Sequence, residues 1–133
     1  MPALNISVVT PEATLLDESA EFVAVPLYDG ELGIAPDHSP MIGRLGFGEL
    51  RIRQAGQSRS YYIDGGFVQV ADNNVAVLTN RAVPSSQLDV KVAAEQLEVA
   101  RSRPANTPEL RAIRDRLESQ ARAQLRVAKH AND

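Results

Sequence analysis

The sequence has no cysteine and no tryptophan, only two histidines, and 5% aromatic residues in a length of 133. Without cysteine there is no disulfide framework, thiol nucleophile or cysteine metal site, and a reducing, cytoplasmic setting is favoured. His38 and His130 stand far apart with no His-x-x-x-His or Glu-x-x-His spacing, so no zinc motif is present. The core must rest on valine, leucine, isoleucine and alanine. No apolar run approaches the roughly 20 residues of a membrane span. The opening "MPALNISVVTPEATLLDE" lacks the basic start and apolar stretch of a secretory leader. An excess of positive charge is missing as well. The formal net charge is −3, which argues against nucleic-acid binding by the whole chain.

What is present divides into two halves. Residues 1–85 carry five arginines and ten acids; residues 86–133 carry nine lysines and arginines and seven acids. The first half has the two-residue period of strands in "LNISVV", "EFVAVPL", "ELRIRQ", "SYYID", "GFVQVAD" and "NVAVLTN". Turn chemistry at Gly65-Gly66 and Asp72-Asn73-Asn74 separates the later ones, and Pro11 and Pro26 belong at strand ends or edges. Short strands at near-regular spacing predict a β-sandwich or barrel. Two adjacent glycines predict positive φ or close backbone packing at Gly65-Gly66.

The period changes near Pro84. Asp89 suits an N-cap or a first-turn acid, and Val90, Ala93, Ala94 and Leu97 form a helical stripe. Pro104–Thr107 breaks that helix. Thr107 caps a second one with Pro108 at its first position, and Leu110, Ile113, Leu117, Ala121, Leu125 and Ala128 form its seam. The result is an antiparallel helical hairpin with a thin, alanine-rich seam. Packing through Val90, Leu97, Leu117 and Leu125 makes it marginal alone and able to detach.

No catalytic constellation assembles. Gly30, Gly33, Gly43, Gly46 and Gly48 fit no phosphate-loop spacing, and neither Ser7 nor Ser39 lies in a Gly-x-Ser-x-Gly context. His38, beside Asp37, reads as a loop histidine that bonds its own turn or as an interface residue. Glu12, Asp17, Glu18 and Glu21 read as an acidic edge. Arg111, Arg114, Arg122 and Arg126 form a basic face suited to an acidic partner, although Glu118 stands four residues from both Arg114 and Arg122. The chain is therefore not expected to be an enzyme, and no metal or cofactor is expected.

The run "GELGIAPDHSPMI", followed by "GELRI", "YYIDGGFVQV" and "NVAVLTNRA", resembles the epsilon subunits of F-type ATP synthases. "ISVVTPE", "LDVKVAAEQLEVA" and "AQLRVA" extend the resemblance over nearly the whole chain. It implies a two-sheet β-sandwich of roughly ten strands over residues 1–85, then a mobile helical hairpin over 86–133. It further implies a non-catalytic central-stalk rotor subunit that binds gamma and the c-ring. That subunit couples the ring to gamma for proton-driven ATP synthesis. It would be a peripheral protein on the cytoplasmic side of a bacterial inner membrane, reaching the membrane only through the ring. The Asp29–Met41 loop is then part of the foot on the ring, with Glu31 and His38 as docking residues. The extended hairpin would reach the alpha and beta catalytic subunits and restrain hydrolysis.

Some members of that family bind ATP through Ile/Leu-Asp-x-x-Arg-Ala. Here Leu88, Asp89 and Ala93 agree, but Val92 replaces the arginine. The supporting second-helix positions fall near Gln120 and Gln124, with Arg122 and Arg126 on another face, so ATP is not expected as a ligand. From the strand and helix pattern alone, the rival reading is a free-standing β-sandwich ligand-binding module with a helical dimerisation hairpin.

Overall fold

A computed structural model describes residues 3–131. The chain forms two units, one through Pro84 and one from Ser85.

The first unit holds β1 (Leu4–Val9), β2 (Thr14–Ala20), β3 (Phe22–Leu27), β4 (Gly30–Ile34), β5 (Met41–Gln54), β6 (Gln57–Ala71), β7 (Asn74–Leu78) and β8 (Ala82–Pro84). They form one hydrogen-bonded path in the order β2-β1-β7-β6-β5-β3-β4, with β8 on β6. The path becomes a sandwich because the long β5–β6 hairpin serves both layers. Its register is constant from Met41↔Val70 to Gln54↔Gln57, but Gly46 and Gly65 are skipped between Leu45↔Gly66 and Phe47↔Asp64. On one side of this break β6 pairs with β7; on the other it pairs with β8, and β5 pairs with most of β3. The path then folds back on itself. Glu18 of the terminal strand β2 forms an ion pair with Arg59 of β6, three strands away along the path.

Alternation builds the core. β1 buries Leu4, Ile6 and Val8, and β6 and β7 bury Val68, Val70, Val75 and Val77; these join Val23, Val25, Ile34, Leu50 and Ile52 from β3, β4 and β5. Tyr62 is fully buried and its hydroxyl lies 3.1 Å from an Asp64 carboxylate oxygen that accepts from it. Pro26 lies inside β3, and the β3–β5 register shifts between Ala24 and Leu27, around the residue with no N–H to donate.

Eight strands, not roughly ten, are present among the described residues, because β5 and β6 run unbroken for 14 and 15 residues. The turn expected at Gly65-Gly66 is instead a corner within β6. Both glycines hold positive φ, 74° and 107°, and a Cβ on Gly66 would stand 1.9 Å from the Leu78 carbonyl oxygen. Positive φ and close packing are thus both present at this pair.

In the second unit a 3₁₀ turn at Ser85–Gln87 leads to α1 (Val90–Arg101) and α2 (Pro108–Ala131). Asp89 caps α1, accepting from the amides of Lys91 (2.8 Å) and Val92 (3.3 Å). Thr107 caps α2 by accepting from the Leu110 amide at 3.1 Å. Ser102–Thr107 joins the helices, and α1 packs against α2 as an antiparallel hairpin. Leu97 is buried as expected; Val90, Leu117 and Leu125 are half-buried. Ile113, expected in the seam, is 46% exposed, while Ala123, Gln124 and Val127 are buried. The steps of this stripe average about 3.6 residues, the helical period itself, so it keeps one face of α2; Ile113 lies at the edge of that face, and burial extends beyond it to Ala123 and Val127.

Candidate functional site

Glu31 and His38 do not share a loop. Glu31 stands on β4 opposite Pro26, one residue beyond the strand's start, and pairs with Arg51 of β5 at 2.5 Å. His38 lies beyond the other end of β4, in the Ala35–Pro40 connection. The Asp29–Met41 stretch is therefore not one foot loop: Gly30–Ile34 is a strand at the end of the sheet path. Its two glycines have different causes: a Cβ on Gly33 would meet the Phe22 ring at 2.8 Å, whereas Gly30 has open space around it and holds a φ of 144°. His38 bonds its own turn, with Nδ1 lying 2.8 Å from the Ser39 carbonyl. The carbonyl only accepts, so Nδ1 carries the hydrogen and Nε2 is left for another partner.

A different surface emerges on the outer face of the β5, β6, β7 and β1 layer. Arg44 is paired in register with Phe67, Phe67 with Leu78, and Leu78 with Val9, so these four side chains form a row across the strands. Ile42 continues the face two residues from Arg44. Ile42 is 74% exposed, Phe67 58% and Leu78 51%. Thr10, Pro11, Thr79 and Asn80 complete an open groove of about 750 Å³ over the row. Tyr28 stacks on the Arg44 guanidinium, 4.7 Å from ring centroid to carbon, and its amide donates to the Arg44 carbonyl at 2.8 Å. These contacts hold the one cation of the row at its margin and leave the centre apolar. The sequence reading missed this face. Its signal was Ile42, Phe67 and Leu78 at positions where the strand alternation calls for polar residues.

In the hairpin, Val92 lines an open groove of about 490 Å³ with Val99, Leu117, Gln120 and Gln124. Glu95 and Arg103 are its only charged residues, one of each sign. Arg122 and Arg126 line a separate depression with Leu125, Lys129 and His130. The Asp89 carboxylate caps α1. Leu88 is half-buried just ahead of that cap, and Ala93 is buried on α1. On the basic face, Arg122 pairs with Glu118 at 2.5 Å, whereas Arg114 pairs with Asp115 at 3.1 Å. No group of three or more histidine, aspartate or glutamate side chains suited to a metal occurs among the described residues. No described helix is long and apolar enough to cross a membrane.

The profile of the family described as "ATP synthase, Delta/Epsilon chain, beta-sandwich domain" matches residues 3–85. The ATP synthase epsilon chain of Rhodopirellula baltica is 48% identical over 127 residues, covering 96% of this chain and 99% of its own. Among solved structures, a chain of the Euglena gracilis mitochondrial ATP synthase (OSCP/F1/c-ring) superposes with a TM-score of 0.83 at 25% identity, covering 100% of this chain and 83% of that one. A chain from the central stalk and c-ring of the Tetrahymena thermophila mitochondrial ATP synthase shares the fold, with a TM-score of 0.74 at 17% identity over 94% of this chain and 96% of that one. On the matched sandwich and the near full-length bacterial relative, the chain belongs to the epsilon-chain family of ATP synthases.

Proposed function

We propose that the protein is a non-catalytic rotor subunit of the central stalk, coupling the c-ring to gamma in proton-driven ATP synthesis. The observation that carries this reading is the apolar set of Ile42, Phe67 and Leu78, exposed on a sheet face that also carries Gln69 and Ser7. A sheet face of this kind marks a protein–protein contact, and gamma is its occupant. The turn at Tyr28-Asp29, with Glu31 just beyond it, is the contact with the ring's polar loops, and His38 borders the gamma face because its loop runs directly into Met41 and Ile42. Membrane contact is through the ring alone, on the cytoplasmic side.

The hairpin is the regulatory part. Its buried residues on α1 are Ala93, Leu97 and Ala100, two of them alanines, so little apolar area holds the helices together. A seam this thin supports a hairpin that opens, extends toward the alpha and beta subunits and restrains ATP hydrolysis. ATP is not its ligand. The test is binding of purified gamma by the full chain. Phe67→Ser should weaken it roughly tenfold to a hundredfold, the cost of losing one buried aromatic anchor, with the melting transition unchanged. Wild-type affinity in that variant would overturn the reading.

A further inference from the structure

The loop that carries His38 is held from outside by the turn between β6 and β7. The Asp37 amide donates to Asn73 Oδ1 at 2.6 Å, and Asn73 Nδ2 donates back to Asp37 Oδ1 at 3.3 Å. The two residues are 36 apart in sequence, and both sit in left-handed backbone, with φ of 67° and 63°. The turn is itself anchored. The Asn5 amide of β1 donates to the Asn73 carbonyl at 2.8 Å, and Asn74 Nδ2 donates to the Asp72 carbonyl at 3.2 Å. Ala35–Pro40 belongs to no strand, so its order must come from such contacts and from its two prolines.

We infer that Asn73 is a positioning residue of the partner-binding surface. Its side chain fixes Asp37, and thereby the loop that carries His38, where that loop runs into Met41 and Ile42 of β5. The inference rests on the docking of gamma proposed above. An aspartate or asparagine at a left-handed position commonly serves only its own turn. Asn73 instead spends both polar atoms of its amide on a different loop. The ordering cost of that loop is thus met in the free protein and not on binding, which is how a preorganised surface gains affinity.

The test uses the full chain and purified gamma. Asn73→Gly keeps the left-handed backbone accessible and removes both side-chain bonds. The Asp37 amide should then exchange at least about tenfold faster, and gamma should bind about fivefold to tenfold more weakly, as loss of the neutral bond from the Asp37 amide by itself implies. The melting temperature should stay within a few degrees of wild type. His38→Ala should weaken binding too, and the double variant should be little weaker than the worse single variant, because both act through one loop. Unchanged gamma affinity in Asn73→Gly overturns the inference, as do penalties that multiply in the double variant. If Phe67→Ser weakens binding and His38→Ala does not, the inference falls and the docking reading stands. If Phe67→Ser binds as wild type, the docking reading falls and takes the inference with it.

Discussion

Gly66→Ala should be among the most damaging single-methyl additions in the β-sandwich, and Gly65→Ala should be mild. The adjacent glycines share positive φ but differ in surroundings. An added Cβ at Gly65 has Phe47 Cε1 as its nearest neighbour, at 3.9 Å, which is ordinary contact. At Gly66 it meets the Leu78 carbonyl oxygen at 1.9 Å and the Thr79 Cα at 2.9 Å, both backbone atoms that no rotamer change moves. Left-handed backbone costs a non-glycine residue about 1–2 kcal/mol. Forcing atoms into packed structure adds about 1–3 kcal/mol, and here the β6–β7 ladder must open at Phe67↔Leu78 to admit the methyl group. Gly65→Ala should therefore cost about 1–2 kcal/mol and Gly66→Ala about 2–5 kcal/mol, against a typical domain stability of about 5–15 kcal/mol. Urea unfolding followed by tyrosine fluorescence suits the comparison, since there is no tryptophan and Tyr28, Tyr61 and Tyr62 all lie in the sandwich unit. Equal midpoints for the two variants would refute the carbonyl-clash argument, because φ alone would then explain both.

Ala55 holds a φ of 52° in the β5–β6 turn ahead of Gly56, so Ala55→Asn should stabilise the sandwich by about 0.5–1 kcal/mol in the same urea assay. Asp89→Ala removes the acceptor for the Lys91 and Val92 amides; it should cost about 1 kcal/mol and speed hydrogen exchange in the first turn of α1, and unchanged exchange would count against the cap. Leu97→Ala should destabilise the hairpin by about 2–3 kcal/mol, and Leu117→Ala by less because Leu117 is half-buried; equal losses in thermal melts monitored by helical circular dichroism would contradict the observed packing. Titration calorimetry with ATP should show weak or no binding to the wild type and about tenfold to a hundredfold tighter binding to Val92→Arg, the worth of one charge-assisted contact; tight binding by the wild type would show that another cation serves.

The elements legible in the sequence are those whose shape is set locally. The caps at Asp89 and Thr107, Pro108 at a helix start and the alternation of β1 all follow from backbone donors and two-residue periodicity. The hidden elements are those whose residues answer to distant neighbours. β2 carries Asp17, Glu18 and Ser19, poor strand formers, and is held by its ladder to β1 and by the Glu18–Arg59 ion pair. β4 looked like a loop because glycine signals turns, yet Gly33 is glycine because Phe22 lies across it. Gly65-Gly66 looked like a boundary between two strands and is a corner inside one. A glycine reports only that a Cβ is unwelcome; whether the cause is a turn, a corner or an aromatic ring overhead is decided by strands far away in sequence.

The surface posed the same difficulty in another form. Glu31 and His38 are close in sequence, and a glycine-rich stretch joins them, so proximity along the chain suggested one foot. A five-residue strand spans about 17 Å at 3.4 Å per residue, and β4 places most of that length between them. The residues that do lie together, Val9, Arg44, Phe67 and Leu78, come from four strands and meet only through ladder register. β1, β6 and β7 each contribute one large apolar residue to the row, and β5 adds Ile42 two residues from Arg44, a departure too small to notice in any single strand. It becomes a patch only because the register aligns the departures side by side. The same holds for Asn73: within its own sequence it is an ordinary turn residue, and its bonds to Asp37 exist only once the two loops have been brought to the same end of the sandwich.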